Sequence, residues 1–151
     1  MPKGRGGGQV ASVKLRLKGR AVSRGVGVGE ALVTDKPISF FGGVDAKTGV
    51  VVEEGHPLRG ASVKGRVLVF PRGKGSTVGS WVLYELSVRG LAPAAVVNAE
   101  ADPVVAVGCV IAGVPLVDRL DLDPLLTIKT GWLVRVVAEG REGLVEVLEG
   151  V

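Results

Sequence analysis

The residue types best suited to chemistry lie in one short stretch, Arg72-Gly73-Lys74-Gly75-Ser76-Thr77. Glycine allows a backbone to turn its N–H groups toward one point, where they can bind an anion. The two cations add full positive charges at the same place and could hold a substrate carboxylate through charge-assisted hydrogen bonds. Of the hydroxyl groups, that of Ser76 is the best placed to face such an anion. The stretch therefore predicts a loop that binds an anionic substrate.

The elements on either side of this loop must position it. A strand is predicted over residues 66–70, and a helical pattern follows, in which Val82, Leu83 and Leu86 share one face. We place the end of the loop and the helix within residues 76–88. A helix that begins directly after the loop brings its N-terminal partial positive charge to the anion. The alternative is a plain glycine-rich turn between a strand and a helix.

The spacing excludes two named phosphate-binding motifs. A Walker A loop requires Ser or Thr directly after Gly-Lys, but Gly75 follows Lys74 in this chain. A dinucleotide-binding fingerprint requires a further glycine three places after the second one, and that position is Val78. The loop therefore belongs to neither class of nucleotide-binding protein.

The composition indicates one domain with an aliphatic core. The length of 151 residues suits a single domain, and 46% of the residues are hydrophobic although only 4% are aromatic. A core of Val, Leu, Ala and Ile favours strands. The longest uncharged run, residues 103–117, is shorter than the ~20 residues of a membrane span, and the first nine residues lack the apolar core of a signal peptide. We expect a soluble, cytoplasmic protein.

The chain has one cysteine and one histidine, which limits the cofactors that it can hold. An iron–sulfur cluster needs several thiolates, and a zinc site needs more than His56 alone. Cys109 lies among aliphatic residues and is predicted to be a small buried hydrophobic side chain. No metal site is therefore predicted in this chain, and His56 is expected to have a structural role.

Positive charge is concentrated near the N-terminus, where seven Lys and Arg residues precede the first acidic residue, Glu30. Such a run occurs in nucleic-acid-binding segments. It contains no aromatic side chain on which a base could stack, so nucleic acid is the less favoured partner. The favoured alternative is a flexible tail over residues 1–9, followed by a charged edge strand that resists aggregation.

Two further clusters have alternative interpretations. Phe40 and Phe41 are adjacent in a predicted loop, where they could anchor a partner or fold into the core. Residues 118–123 are rich in Asp, and a solvated turn is favoured over a metal site.

The order of the predicted elements, β-rich at both ends, indicates an α+β or α/β fold, and we expect α/β. Asp102-Pro103 predicts a helix start, and residues 24–29, with three glycines, predict a turn. The centre is β-α-β-α-β, and a C-terminal hairpin turns at residues 139–143. The whole forms one domain over residues 10–151. Strands are predicted at residues 13–22, 30–34, 50–53, 66–70, 94–99, 114–117, 132–138 and 144–148, and helices at 76–88 and 104–112.

Three stretches together resemble the small subunit of the aconitase X family. They are residues 29–45 (GEALVTDKPISFFGGVD), 56–60 (HPLRG) and 72–80 (RGKGSTVGS). The resemblance covers roughly residues 15–132 and is strongest to archaeal members. It implies a β/β/α swivelling domain, the counterpart of the mobile fourth domain of aconitases.

The resemblance also implies a function that requires a second polypeptide. It implies a heteromeric hydro-lyase that dehydrates (R)-5-phosphomevalonate to trans-anhydromevalonate 5-phosphate, a step toward isoprenoids. A large subunit then carries a [4Fe–4S] cluster on its own cysteines. The family's base is the serine of its Arg-Gly-Xaa-Gly-Ser loop, which corresponds to Ser76. The candidates for substrate binding are the other loop residues, Arg72, Gly73, Lys74, Gly75 and Thr77.

Alternatives stay open at this point. A serine hydroxyl is a weak base, so Ser76 would have to be held as an alkoxide-like species by N–H groups, the helix dipole and the cations. Ser62 and Ser80 are lesser candidates for the base. The substrate could be another hydroxy acid such as a hydroxyproline, or the chain could be a non-catalytic anion-binding module. No role is predicted for the residues before Lys14.

Overall fold

Within residues 12–150, which the computed structural model describes, seven strands close into a barrel. Around the barrel the order is β1-β5-β4-β3-β2-β6-β7, and β7 pairs with β1. The helices are α1 (Gly79–Val88), α2 (Pro103–Ala112) and α3 (Pro124–Thr127). The strands are β1 (Leu15–Ser23), β2 (Gly25–Val33), β3 (Val67–Phe70), β4 (Ala95–Asn98), β5 (Leu116–Asp118), β6 (Leu133–Glu139) and β7 (Glu142–Glu149).

The centre of the chain forms parallel strands with helical connections, as predicted. The pairs β2–β3, β3–β4 and β4–β5 are parallel, and α1 and α2 connect β3 to β4 and β4 to β5. Every residue of β3 and β4 is buried, because one face of these strands lines the barrel and the other lies beneath the helices. Burial on both faces explains why their sequences are almost wholly apolar.

Two hydrophobic clusters follow from this arrangement. The cluster inside the barrel is built mostly from Val and Ala, and it includes Val69, Val97 and Val117. The cluster outside the barrel joins the opposite faces of the same strands to α1 and α2, and it includes Phe70, Leu83 and Cys109. This second cluster fixes the helices, and with them the loop between β3 and α1.

The prediction of a glycine-rich turn at residues 24–29 is wrong, because most of this segment belongs to β2. A Cβ atom at Gly27 would collide with the carbonyl oxygen of Ala94, and one at Gly29 with that of Gly65. These glycines therefore allow close approach of two backbones rather than a change of direction. The predicted strand at residues 50–53 forms only isolated β-bridges, Val44 with Val51 and Val50 with Ser62.

The basic segment near the N-terminus is not an edge strand, because β1 pairs with both β5 and β7. Two of its cations, Arg16 and Arg20, form specific ion pairs instead. Arg20 donates two hydrogen bonds of 2.9 Å to Asp118, whose side chain is fully buried and also accepts from the Ala101 N–H. The prediction of a solvated turn is thus wrong for Asp118.

Glu146 is held between two cations on neighbouring strands. Its carboxylate lies 2.9 Å from Arg16 Nε and 2.7 Å from an Arg135 guanidinium nitrogen. Burial alone would raise the pKa of Glu146 above its ordinary 4.5, but the hydrogen bonds and charges of Arg135 and Arg16 outweigh burial and lower it. A lowered pKa stabilises the fold fully above pH 4.5, and this contribution is lost as the pH falls through the lowered value.

We therefore expect Glu146→Gln to lower the free energy of unfolding at pH 7 by about 1–3 kcal/mol. The difference from the wild type should shrink as the pH falls from 4.5, the ordinary pKa of the group, through the lowered pKa, because the carboxylate is protonated first in the unfolded chain and then in the folded one. Urea unfolding at several pH values measures this effect. The control is Glu149→Gln, at the exposed end of the same strand. An equal difference at pH 7 and pH 2 would contradict the prediction.

Two further points concern the first residues of the chain and its helices. Residues 1–9, predicted to be a flexible tail, lie outside the described residues, so the domain boundary at residue 10 stays a prediction. None of the helices within residues 12–150 is long and apolar enough to cross a membrane.

Candidate active site

The loop between β3 and α1 is held at its base by a second loop of the chain. Ile38 donates its N–H to the Arg72 carbonyl over 3.3 Å, and the Lys74 N–H donates to the Ile38 carbonyl over 3.1 Å. This parallel bridge places residues 38–43 beside residues 72–76. Two of the three stretches that resemble the aconitase X family are thus in direct contact.

The third of those stretches, residues 56–60, contacts the start of the second loop through His56. His56 is buried, its Nε2 lies 3.1 Å from the Pro37 carbonyl, and its Nδ1 accepts the Leu58 N–H. His56 therefore fastens Pro37, one residue before the bridge to Gly73. The predicted structural role of His56 is confirmed by these contacts.

Two glycines of the loop between β3 and α1, Gly73 and Gly75, are required by close contacts. The Gly73 N–H donates to Asp102 Oδ1 over 2.7 Å, and a Cβ at Gly73 would lie 2.5 Å from Val105 Cγ2. Gly75 has a φ of +90°, in the region that favours glycine, and a Cβ there would lie 2.7 Å from Ser39 Oγ. A side chain at either position would displace the loop.

Asp102 was predicted only as the start of a helix, and it has two roles. Its carboxylate accepts the N–H groups of Val104 and Val105 and so begins α2 as expected. The same carboxylate accepts the Gly73 N–H, which connects the loop to α2. Nothing in the local sequence signals this second role, because the two residues lie far apart along the chain.

Three consecutive N–H groups of the loop are free to bind an anion. Those of Gly73 and Lys74 are already used by Asp102 and Ile38. Those of Gly75, Ser76 and Thr77 donate no hydrogen bond to any residue in the described part of the chain. Successive free N–H groups around a glycine of positive φ are typical of anion-binding loops.

The Ser76 side chain is exposed, three residues before α1 begins at Gly79. Its Oγ accepts the N–H of Val78 over 3.1 Å. The next three N–H groups, of Gly79, Ser80 and Trp81, donate instead to the carbonyls of residues 76–78. One N–H group of the helix start therefore stabilises negative charge on this oxygen, rather than several.

The two cations of the loop are not equivalent. Lys74 Nζ lies 2.7 Å from Glu53 Oε2, whereas Arg72 is exposed and makes no ion pair within residues 12–150. The second oxygen of Glu53 is buried and has no hydrogen-bond partner among the described residues. Sequence reasoning missed Glu53, since no spacing relates it to the loop.

A cleft of about 390 Å³ lies between the two loops. Phe41 forms part of its rim with 53% of its surface exposed, while Phe40 is buried. Folding into the core is therefore confirmed for Phe40, whereas the role of Phe41 as a partner anchor stays a prediction. The cleft is lined by Ser39, Phe41, Gly42, Gly43, Glu53, Lys74 and Gly75.

The other serine candidates have structural contacts. Ser80 is buried and donates to the Val104 carbonyl over 2.7 Å, so it joins α1 to α2. Ser62 Oγ accepts the Lys64 N–H in an exposed turn. Ser39 is the hydroxyl that the sequence analysis missed; it lies beside Gly75 and donates to the Phe41 carbonyl over 2.9 Å.

The residues present do not fit an iron–sulfur cluster. Cys109 is fully buried in the cluster beneath α2, and burial raises the pKa of its thiol, so it is a packing residue as predicted. Within residues 12–150, no group of three or more His, Cys, Asp or Glu side chains is arranged to hold a metal ion. No reaction step is therefore derived through a cluster on this chain.

Known proteins of similar sequence and fold cover most of the chain. The family described as the aconitase X swivel domain matches residues 16–147. The phosphomevalonate dehydratase small subunit of Methanosarcina acetivorans is 53% identical over 137 residues, or 91% of this chain and 94% of its own. The phosphomevalonate dehydratase small subunit of Thermococcus onnurineus is 51% identical over 135 residues, which are 89% of this chain and 100% of that protein. The crystal structure of Thermococcus kodakaraensis aconitase X in its holo form has a TM-score of 0.82 at 47% identity, and covers 89% of this chain and 99% of that one.

Proposed function

We propose that this chain, which belongs to the aconitase X swivel-domain family, is the small subunit of a hydro-lyase. The proposed reaction is the dehydration of (R)-5-phosphomevalonate to trans-anhydromevalonate 5-phosphate. The names of the Methanosarcina and Thermococcus relatives support this substrate. About half of the aligned residues of each relative are identical to those of this chain, over almost the full length of both proteins. The observation that carries the role of this chain is the exposed Ser76, in a loop where three N–H groups and the Arg72 guanidinium have no partner within residues 12–150.

The reaction divides into two parts. A base takes the proton from C2, and the electrons of that C–H bond form the C2=C3 double bond. The C3–O bond breaks, and the departing oxygen takes up a proton to leave as water. We assign the first part to Ser76 and the second to the large subunit.

Ser76 can take the C2 proton only if its oxygen carries negative charge. The Val78 N–H donates to this oxygen, and it lies at the start of α1, whose dipole favours an anion. The positive charge of Arg72 lies four residues away in the same loop. These groups together favour the alkoxide-like form that proton removal requires.

The rest of the loop is proposed to bind the substrate. The N–H groups of Gly75 and Thr77, which have no partner within residues 12–150, are suited to a carboxylate or phosphate oxygen, and Lys74 lines the cleft. Gly73 contributes differently, because its N–H is bonded to Asp102 and it shapes the loop rather than contacting the substrate.

A larger partner subunit is implied by the names of the relatives. We propose that this partner carries the [4Fe–4S] cluster on its own cysteines and completes the site over the Ser76 loop. The assembly is thus a heterodimer or a larger heteromer. The cytoplasmic location stays a prediction.

The test is co-expression with a cysteine-containing large subunit under anaerobic conditions, followed by an assay of phosphomevalonate dehydration. We expect activity only when both chains are present, and negligible iron in this chain purified alone after anaerobic reconstitution. Stoichiometric iron in the lone chain would contradict the division of roles. Faster turnover of a hydroxyproline would favour the alternative substrate, and a complex inactive on both would favour an anion-binding module.

A further inference from the structure

An uncharged apolar surface lies on the outer side of α2. The sequence of this helix, PVVAVGCVIA, contains no charged or strongly polar residue. Val105, Gly108 and Cys109 are buried against the barrel, but Val107, Val110 and Ile111 on the outer side are exposed. A helix that is apolar all round is typical of a buried position. The outer side of α2 is therefore apolar, and no other part of residues 12–150 covers it.

The neighbouring helix extends this surface. Trp81, Tyr84 and Val88 recur at helical spacing on the exposed side of α1, and Val78 lies directly before it. The Trp81 and Tyr84 rings make an edge-to-face contact, with centroids 6.0 Å apart, and Trp81 keeps 63% of its surface exposed. Large aromatic side chains of this kind dominate the binding energy of many protein interfaces.

A groove between the two helices gives the surface a defined shape. Its volume is about 360 Å³, and its lining is mostly apolar. The helices are fixed to each other, because Ser80 Oγ donates to the Val104 carbonyl and the close approach at Gly108 leaves no room for a side chain beside Leu83. The groove is thus formed before any partner arrives, which favours binding. It is lined by Thr77, Val78, Ser80, Trp81, Pro103, Val104, Val107 and Ile111.

We propose that this apolar surface of α1 and α2 is the docking site of the large subunit. The inference rests on the proposed function, which requires the partner to meet Ser76. Thr77 and Val78 line the groove and directly follow Ser76 in the chain. A partner that brings the rest of the active site to Ser76 must therefore also lie over the groove.

Other occupants fit less well. A second copy of this chain seated in the groove would cover Thr77 and Val78 and obstruct the approach of any other chain to Ser76. Residues 1–11 are mostly glycine and cations, which an uncharged groove does not favour. The segment of the large subunit that docks should accordingly be apolar, with aliphatic or aromatic side chains and few charges.

The test compares two valines of equal exposure. Val110 on α2 and Val26 on the outer face of β2 are each 58% exposed, so Val110→Asp and Val26→Asp introduce the same charge inside and outside the proposed surface. The dissociation constant of each variant for the purified large subunit is measured by titration. We expect Val110→Asp to weaken binding about 30-fold or more, because a carboxylate is buried without a partner. Val26→Asp should change it less than about 3-fold.

The remaining outcomes also decide the proposal. Equal affinities of the two variants would overturn it, as would a loss of self-association in Val110→Asp with unchanged affinity for the large subunit. If Val110→Asp lowers the melting temperature, Trp81→Ala gives the same comparison without a new charge. Binding is measured without substrate, so a complex that forms but does not dehydrate phosphomevalonate contradicts only the proposed function. An active complex that is indifferent to Val110→Asp and Trp81→Ala contradicts only the docking site.

Discussion

Replacement of Ser76 by alanine is expected to reduce the kcat of the assembled enzyme on the order of 10³-fold or more. The hydroxyl is proposed to take the C2 proton, and alanine provides no atom for that step. The exchange of the C2 hydrogen with deuterated solvent should disappear together with turnover. Single-turnover measurements and NMR of the substrate in deuterated buffer give these two readouts.

The fold and the subunit interface should survive this substitution. Ser76 is exposed, and its side chain accepts a single local hydrogen bond, from Val78. Loss of such a contact in an exposed loop changes the free energy of unfolding by less than about 0.5 kcal/mol. The melting temperature and the affinity for the large subunit therefore serve as controls. Retained C2 exchange in Ser76→Ala would transfer the role of base to another group.

Glu53 is the alternative candidate for the base on this chain. Its carboxylate lines the cleft beside the loop, and one of its oxygens already binds Lys74. We expect Glu53→Gln to retain C2 exchange, because one oxygen of this carboxylate is already bound to Lys74 and the other is buried. Glu54→Gln, at the exposed neighbouring residue, is the matched control. Loss of exchange in Glu53→Gln with retention in Ser76→Ala would identify Glu53 as the base.

The local elements of the active site could be predicted from the sequence because their signals are local. The strand predicted at residues 66–70 is observed at Val67–Phe70, and the helix predicted from residue 104 begins at Pro103 after its Asp102 cap. An apolar run and a cap residue each act within a few positions of the chain. The family resemblance, based on three short stretches, is likewise confirmed by the match over residues 16–147.

What the sequence could not supply are the contacts between distant parts of the chain. Asp102 binds the N–H of Gly73, and Glu53 binds Lys74, although no spacing rule relates either pair. Glycine is ambiguous for a similar reason: it permits both turns and close backbone approach, and Gly27 and Gly29 serve the second purpose within a strand. Closure of the barrel also depends on long-range pairing, so β1 could not be distinguished from an edge strand.

The sequence predicts that Arg72 and Lys74 both bind the substrate, but their surroundings in the structure differ. The pair of Lys74 with Glu53 has no net charge, whereas the charge of Arg72 is uncompensated among residues 12–150. An anionic substrate is attracted by net positive charge, and Lys74→Gln alone would leave the negative Glu53 beside it. Arg72 is therefore expected to supply most of the attraction that the loop exerts.

We expect Arg72→Gln to reduce kcat/KM by about 10²-fold or more, as the loss of a charge-assisted contact usually does. The double variant Glu53→Gln with Lys74→Gln keeps the net charge of the loop. We expect it to reduce kcat/KM by less than about 10-fold. Lys18→Gln, at an exposed position on β1, is the control for a surface charge. Equal small effects at Arg72 and Lys18 would show that the loop is only a turn. A loss in the double variant as large as in Arg72→Gln would instead mean that Lys74 contributes as much to substrate binding as Arg72.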